Sequence, residues 1–263
     1  GSDAVIFTVL VGGTKAFRSD LEIPKKYGVD LNSGDTRGPG GIMRGMRTMP
    51  VLLDVCRDME KYCPNAILLN YTNPMNILCK ILGESTTVPY VGLCHSVQNA
   101  VERAAAWMNV PMEELDYFSA GINHQAWLLK LTRNGEDMYP LLRKAIEKPE
   151  VYNEDPVKCD TLRYLGYLST EEGGQNSEYF PWFRKRPDLV ARYDHATGMN
   201  PGCYGFEIEV YVQKERELYD MLEKWNNEPL NLARGKEYAS GILNAILGDH
   251  TPVKFNGNIL NKG

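Results

Sequence analysis

Short apolar runs alternate with segments of helical spacing through the first 112 residues of the chain. The apolar runs lie at residues 4–11, 66–70 and 88–93. A run that is apolar at successive positions is typical of a strand buried on both faces, as in a parallel sheet. Because parallel strands are joined by helical crossovers, the alternation predicts an α/β fold that starts with a parallel sheet.

The segments between these runs are of two kinds. Apolar side chains recur at helical spacing in residues 43–61, 75–82 and 97–109, which predicts three helices. Residues 14–41 contain several glycines and two prolines, which predicts a loop.

The ends of the predicted strands carry most of the candidate site. They are Gly12 and Gly13, residues 71–73, and Cys94 and His95. In open parallel α/β sheets, ligands bind beyond the carboxyl ends of the strands. We therefore expect these three segments to line one crevice.

The pattern changes from residue 113 onward. Segments at 117–123 and 126–132, followed by Asn134 and Gly135, predict two strands and a tight turn. The sequence thus predicts a nucleotide-binding part over residues 1–112 and an α+β region over residues 113–263. Helices of the second region are predicted at residues 138–146, 156–168, 207–225 and 233–247.

Composition and charge exclude several classes of protein. The 263 residues carry a net charge of −5, with 43% hydrophobic and 24% charged residues, which argues against a disordered chain and against a nucleic-acid binder. No apolar run reaches the ~18–20 residues that a membrane span needs. The six cysteines include no CxxC pair, and a chain of this size buries a core without disulfides. We expect reduced thiols, a cytoplasmic location, and no nucleic-acid or membrane partner.

Cys94 and His124 each follow a predicted strand. A thiolate and an imidazole form a donor set that suits Zn, Mn, Fe or Co when substrate oxygens complete the shell. The same residues also have a structural interpretation, with Cys94 as a packed core thiol and His124 as a hydrogen-bonded loop histidine. Spacing alone leaves both interpretations open.

Asn73 and Pro74 follow the second predicted strand. Nicotinamide-dependent lactate and malate dehydrogenases have an Asn-Pro pair at this place, with the Asn side chain facing nicotinamide and substrate, whereas Asn-Pro is also a common turn.

The glycine-rich residues 38–45 have Met43 where the dinucleotide fingerprint needs Gly, and they follow a loop instead of a strand. They therefore do not match that fingerprint.

Tyr179 lies in an aromatic cluster at residues 176–183. The ordinary pKa of a tyrosine is about 10, so the side chain acts as a base only where a cation or metal lowers that pKa. A packed aromatic turn is the alternative interpretation of this cluster.

Taken in order along the chain, these motifs resemble those of the family 4 glycoside hydrolases, in particular the α-galactosidase-like branch. The resemblance covers nearly the whole chain and rests on several widely separated motifs. It implies an incomplete Rossmann-like sheet, as in lactate and malate dehydrogenases, followed by an α+β region for catalysis and oligomerisation. The motifs lie at residues 11–13, 18–28, 34–44, 69–75, 92–98, 120–124, 166–170, 177–183 and 237–240.

The resemblance implies hydrolysis of α-glycosides, and most closely of α-galactosides, by an NAD-dependent route that departs from the usual pair of carboxylates. In that family NAD oxidises C3 of the sugar. A divalent metal, typically Mn²⁺, then assists removal of the C2 proton before elimination. The implied partners are NAD, the divalent ion and a small sugar substrate, in a homodimer or homotetramer.

Roles for individual residues follow from the same resemblance. Cys94 and His124 occupy the metal-ligand positions. Tyr179 matches the base that removes the C2 proton, and His95 stands where a proton donor to the leaving group is found.

The remaining implied contacts concern substrate and cofactor. Asn73 is expected to contact substrate and nicotinamide, Arg18 the sugar, and Gly12 and Gly13 the cofactor. The family's first strand and glycine-rich turn precede the strand that opens this chain, and its C-terminal segments continue beyond residues 256–261. We therefore expect an interior segment of a longer enzyme, in which NAD binding is weak or absent.

Three alternatives stay open. An NAD-dependent 2-hydroxy acid dehydrogenase shares the sheet and the Asn-Pro pair. An α-galacturonidase or α-glucosidase of the same family uses similar motifs. A degenerate interaction module is disfavoured because Cys94, His95, His124 and Tyr179 are all present.

Overall fold

The computed structural model of the protein describes residues 1–194, 204–227, 238–248 and 250. Within these residues, three strands pair in parallel. They are β1 (Ala4–Phe7), β2 (Ile67–Asn70) and β3 (Tyr90–Gly92), in the order β1-β2-β3. The prediction of an α/β fold with a parallel sheet is therefore confirmed.

The first strand is shorter and less buried than the sequence predicts. Residues 4–11 were expected to form a strand buried on both faces, but β1 ends at Phe7, and Ile6 is 50% exposed. Within the described ranges β1 pairs on one side only, with β2, so one of its edges lacks a neighbouring strand. That part of the prediction is wrong.

Four helices accompany this sheet: α1 (Gly13–Lys26), α2 (Gly38–Tyr62), α3 (Met75–Ser85) and α4 (Ser96–Met108). The last three confirm the predicted helices. The loop predicted over residues 14–41 is confirmed for residues 27–37 but is wrong for residues 14–26 and 38–41, which belong to α1 and α2. Phe17, Leu21 and Pro24 recur at spacings of four and three and are buried along α1, where Phe17 and Leu21 pack against Leu31 and Ile208. This burial makes the segment helical despite its glycine and proline residues.

Helix α2 begins in the glycine-rich segment and packs tightly on the loop that precedes it. A Cβ atom on Gly40 would lie 2.5 Å from the carbonyl oxygen of Gly34, and one on Gly41 would lie 2.5 Å from the carbonyl carbon of Thr36. Both positions therefore require glycine for close approach of the backbone. The contact holds residues 34–36 against the start of α2.

An antiparallel sheet follows. It contains β4 (Leu115–Ile122), β5 (Gln125–Arg133) and β6 (Glu136–Asp137) in that order, and β7 (Leu168–Ser169) pairs with β5. Asn134 and Gly135 have φ values of 52° and 84° and form the predicted tight turn between β5 and β6. The two predicted strands of this region are confirmed.

The rest of the second half is mainly helical. The predicted helix at residues 207–225 is confirmed by α11, and that at 233–247 by α12 for its described part, since residues 233–237 lie outside the described ranges. The boundary at residues 112 and 113 stays a prediction. The helices are α5 (Tyr139–Ala145), α6 (Pro149–Glu154), α7 (Pro156–Leu165), α8 (Gly173–Asn176), α9 (Pro181–Arg184), α10 (Pro187–Tyr193), α11 (Phe206–Asn227) and α12 (Tyr238–Leu247).

Helix α4 connects the parallel sheet to the second hydrophobic core. Its residues Val97, Ala100, Val101 and Ala104 are fully buried in the cluster formed with β4, β5, α5 and α7. The start of α4 is therefore held between the parallel sheet and this cluster, and so are the residues between β3 and α4.

Among the helices that the structure describes, none combines the length and apolar character that crossing a membrane requires.

Candidate active site

A crevice opens beyond the carboxyl ends of the parallel strands. The backbone N–H of Val9, after β1, donates to Thr72 Oγ1, after β2, at 2.9 Å. Tyr71, after β2, stacks on His95, after β3, with ring centroids 5.8 Å apart. A cavity of about 210 Å³ lies at this edge, between the segments that follow β1 and β2, Arg44 of α2 and Tyr211 of α11.

Cys94 and His124 meet beside this crevice. Cys94 lies between β3 and α4, and His124 lies in the two-residue connection between β4 and β5. Their Sγ and Nε2 atoms are 3.2 Å apart, and Ser96 Oγ is 3.5 Å from the same sulfur. His124 has a φ of 61°, a conformation uncommon for a residue other than glycine, and such strain often occurs at functional sites.

The Cys94–His124 pair favours a thiolate beside an imidazolium. Burial alone would raise the pKa of the Cys94 thiol, but the charge of His124 and hydrogen bonds with His124 and Ser96 outweigh it and lower the pKa to about 7. Burial works in the opposite direction on His124, where Glu171 and Cys94 together raise the pKa well above its usual range. The thiol is thus prepared to bind a cation or to react as an anion.

Glu171 is a third titratable group at this pair. Its Oε2 atom lies 3.6 Å from His124 Nε2 and is buried, with no hydrogen-bond partner among the residues that the structure describes. Burial raises the pKa of Glu171 to about 7, although the charge of His124 opposes the shift. A buried carboxylate oxygen without a partner is costly unless a ligand completes its contacts.

Asp35 organises the polar side of the site. Its carboxylate accepts hydrogen bonds from Asn73 Nδ2 at 2.7 Å, Gln175 Nε2 at 2.6 Å and Thr36 Oγ1 at 2.7 Å. Arg44 Nη1 lies 3.8 Å from Asp35 Oδ2. Burial would raise the pKa of Asp35, but the charges of Arg44 and His124, followed by hydrogen bonds, lower it. Asn73 is thereby held between the cavity and this carboxylate.

Tyr179 lies in the same acidic environment. Its hydroxyl oxygen is buried and has no hydrogen-bond partner of good geometry, while the Arg37 guanidinium carbon lies 4.0 Å from the centre of its ring. Burial, followed by the charges of Glu171, Glu178 and Asp35, raises the pKa of Tyr179 well above its usual value. With these residues alone, the tyrosine keeps its proton at neutral pH.

Glu178 connects the segment that carries Tyr179 to the loop before α2 through hydrogen bonds. Its Oε1 atom accepts hydrogen bonds from the backbone N–H of Ser33 and from that of Gly34, the latter at 2.9 Å. Burial raises the pKa of Glu178 to about 7, although these hydrogen bonds oppose the shift.

Replacing Glu178 with glutamine is expected to flatten the pH dependence of stability. The folded protein binds a proton at Glu178 more tightly than the unfolded chain, so the free energy of unfolding falls as pH rises from about 4.5 to about 7. Glutamine keeps the acceptor oxygen but removes this titration, so the loss of stability between pH 5 and pH 8 should be smaller by about 2–3 kcal/mol in the variant. Thermal unfolding midpoints across that range measure it, with the exposed Glu136→Gln as control. Equal slopes for Glu178→Gln and the unmodified protein would contradict the expectation.

The other predicted residues lie around this cluster. His95 stacks on Tyr71 at the start of α4. Arg18 is not brought to Cys94 and His124 by the structure, since its guanidinium lies 3.2 Å from Glu209 and 3.9 Å from Glu22. Its contact with a sugar stays a prediction.

Gly12 and Gly13 lie at the start of α1. A Cβ atom on Gly12 would lie 2.6 Å from that of Ala16. The carboxylate of Glu215, on α11, accepts a hydrogen bond from Thr14 at this helix end. An acidic side chain therefore occupies the position where a helix start favours an anion. Cofactor binding by the two glycines stays a prediction.

Sequence reasoning missed the polar residues that surround His124. Asp35 and Thr36 lie within a motif that the resemblance includes, but no role was expected for either residue. The signal that could have found them is a pair of polar residues between glycines in an otherwise tight loop. Glu171 and Gln175 gave no comparable signal, because neither belongs to a recognisable spacing.

The donor set fits a divalent metal ion. Typical bonds of about 2.3 Å to sulfur and about 2.1 Å to nitrogen put two donors about 3.1 Å apart when they meet one ion at a right angle, close to the distance between Cys94 Sγ and His124 Nε2. Across the described part of the chain, no set of three His, Cys, Asp or Glu side chains is arranged to hold an ion. Such an ion would therefore take its other ligands from substrate or water.

Comparisons with known proteins agree along the whole chain. Residues 1–110 match the family model described as Family 4 glycosyl hydrolase, and residues 119–263 match that of the Family 4 glycosyl hydrolase C-terminal domain. An alpha-galactosidase of Bacillus subtilis (strain 168) is 38% identical, with 98% of this chain and 59% of the relative aligned. One of Rhizobium meliloti (strain 1021) is 38% identical, with 99% of this chain and 56% of the relative aligned.

A solved structure of a 6-phospho-alpha-glucosidase from gut microorganisms, in complex with NAD and Mn²⁺, is similar in fold. Its TM-score is 0.68 at 19% identity, over 93% of this chain and 56% of that chain. This similarity supports the α/β fold. The chain spans less than two thirds of the length of each of these relatives.

Proposed function

Because this chain belongs to family 4 of the glycosyl hydrolases, we propose that the protein hydrolyses α-glycosides, and in particular α-galactosides. The observation that carries the proposal is the pair formed by the partly buried Cys94 and the buried His124, which is linked to Asn73 through Thr36 and Asp35. The 38% identity to two alpha-galactosidases supports the choice of sugar.

The proposal includes NAD and a divalent ion, typically Mn²⁺, as cofactors. A relative of the same fold was solved with both. When bound, NAD supplies reversible oxidation at C3 of the sugar, and the ion supplies Lewis-acid polarisation of neighbouring oxygens. Cys94 and His124 are the residues that would hold the ion, and Asn73 would orient the sugar between the cavity and Asp35.

Two residues are assigned to proton transfer. Tyr179, once deprotonated to the phenolate, would take the proton from C2 of the sugar on its oxygen, for which the described residues offer no hydrogen-bond partner of good geometry. Its raised pKa means that this role needs a positive charge nearby. His95 would donate a proton to the leaving group, with its ring orientation restrained by Tyr71.

The dehydrogenase alternative is not favoured, because the matched family and the aligned relatives are glycosidases.

A panel of p-nitrophenyl α- and β-glycosides and uronides tests the proposal, in the presence of Mn²⁺, NAD⁺ and a thiol reductant. We expect the α-galactoside to be hydrolysed fastest. We also expect the activity to disappear when NAD⁺ is omitted or the metal is chelated. Hydrolysis in D₂O should place deuterium at C2 of the released sugar, since the C2 proton exchanges during elimination. Hydrolysis without deuterium at C2 would argue for direct displacement. The absence of any activity, both in this chain and in a full-length version of the protein, would overturn the proposal.

The cytoplasmic location and the homodimeric or homotetrameric state expected from the sequence stay predictions.

A further inference from the structure

The side of His124 that faces away from Cys94 contacts a hydroxyl and a carboxylate in series. Thr36 Oγ1 lies 2.7 Å from His124 Nδ1 and 2.7 Å from Asp35 Oδ1. All three residues are at least nine-tenths buried, with exposures of 2% for Asp35 and Thr36 and 5% for His124. Solvent therefore cannot substitute for any of these contacts without rearrangement of the site.

Counting hydrogens sets the direction of these bonds. The Asp35 carboxylate accepts hydrogen bonds from Asn73 Nδ2 at 2.7 Å and from Gln175 Nε2 at 2.6 Å. An ionised carboxylate has no hydrogen to donate, so Asp35 acts only as an acceptor. The single hydroxyl hydrogen of Thr36 must then point to Asp35. Thr36 Oγ1 has only lone pairs left for His124, which requires that His124 Nδ1 carries a hydrogen and donates it.

The contacts of Gln175 agree with this assignment of hydrogens. Its Nε2 atom donates one hydrogen to Asp35 and can donate the other to Thr36 Oγ1 at 3.1 Å. The 3.2 Å approach of this nitrogen to His124 Nδ1 joins two donors and is not a hydrogen bond. The reverse orientation of the amide would place its oxygen against the Asp35 carboxylate, so the network has one consistent assignment.

We propose that Asp35 and Thr36 are positioning residues, which hold the hydrogen on His124 Nδ1, so that Nε2 releases its own proton to water and binds the divalent ion. The proposal rests on the metal site of the proposed function. Nε2 is the ring nitrogen that faces Cys94 Sγ at 3.2 Å and Glu171 Oε2 at 3.6 Å. A hydrogen-bonded partner on the second nitrogen of a metal-binding histidine sets its tautomer, fixes the ring and raises its basicity.

Binding of Mn²⁺, followed by the electron paramagnetic resonance signal of the free ion, tests the proposal without an activity measurement. Thr36→Val keeps the shape of the side chain but removes the hydroxyl, and it should weaken Mn²⁺ binding by about 10- to 100-fold. Thr36→Ser keeps the hydroxyl and should bind Mn²⁺ nearly as well as the unmodified protein. Thr161→Val is a matched control, because Thr161 is equally buried and its hydroxyl bonds only to the Val157 carbonyl, on α7.

A second measurement does not depend on metal. In the metal-free protein labelled with ¹⁵N-histidine, the hydrogen on His124 Nδ1 should exchange slowly with water. Slow exchange should persist in Thr36→Ser and disappear in Thr36→Val. A fold check by circular dichroism accompanies each variant.

The outcomes separate the two proposals. Unmodified protein that binds no Mn²⁺ contradicts the metal site of the proposed function. Folded Thr36→Val that binds Mn²⁺ as tightly as the unmodified protein overturns the positioning role and leaves the proposed function intact. Persistence of the slowly exchanging Nδ1 hydrogen in Thr36→Val overturns the hydrogen-bond assignment itself.

Discussion

Replacing Cys94 with serine is expected to abolish most of the metal-dependent hydrolysis. Burial raises the pKa of the Cys94 thiol, but His124 and Ser96 outweigh burial and lower the pKa to about 7. The thiol therefore provides an anionic ligand near neutral pH. A serine hydroxyl in its place stays neutral. Loss of a metal that supplies several kcal/mol of transition-state stabilisation corresponds to a fall in kcat/KM of about a thousandfold.

The control for this variant is Cys63→Ser. Cys63 is also only partly buried, but it lies between α2 and β2, at the amino end of the parallel strands, opposite the edge that carries the candidate site. It should keep full activity and Mn²⁺ affinity, whereas Cys94→Ser should lose both while it unfolds at a similar temperature. If Cys94→Ser retained its activity and still required Mn²⁺, the metal would have to be held elsewhere.

The alternation of apolar runs was sufficient to predict the parallel sheet and the position of Cys94 and Asn73 at its carboxyl edge. Both residues directly follow strands, and the edge is a property of the topology. His124 is different, since it belongs to the connection between β4 and β5. Its place beside Cys94 followed from the resemblance and not from the strand pattern, because no local rule relates the two sheets.

The error at α1 has a tertiary cause. Gly12, Gly13 and Pro24 are typical of loops, and the sequence around them was interpreted in that way. The structure buries Phe17 and Leu21 on one face of α1 against Ile208 of α11, almost 190 residues later in the sequence. Burial against a distant helix overrides local propensity, and a single sequence does not reveal that helix as the partner.

The hydrogen-bond network around His124 was beyond prediction for the same reason. Thr36 and His124 are 88 residues apart, and Asp35 and Gln175 are 140 residues apart. No helix or strand periodicity connects such pairs. Their proximity depends on α2 packing closely on residues 34–36, through glycines that the sequence suggested only as a loop signal.

Replacing Tyr179 with phenylalanine is expected to lower kcat by about 10²- to 10⁴-fold, the range of a lost general base. Affinity for Mn²⁺ should be unchanged, because the hydroxyl of Tyr179 is not one of the proposed metal ligands. Deuterium incorporation at C2 should fall in parallel with hydrolysis. The exposed Tyr164→Phe serves as control and should leave both rates unchanged.

Stability separates this role from a packed aromatic turn. Among the described residues, the buried Tyr179 hydroxyl has no hydrogen-bond partner of good geometry, so its removal takes away a desolvated polar group and should leave the thermal midpoint unchanged or slightly raised. A tyrosine kept for packing would lose neither activity nor stability on this change. Loss of activity without loss of stability therefore identifies the hydroxyl as a group that acts on substrate. Full activity of Tyr179→Phe would instead assign the C2 proton to another base, and the alternative is the buried carboxyl group of Glu171, whose charge acts more strongly on the pKa of Tyr179 than that of Glu178 or Asp35.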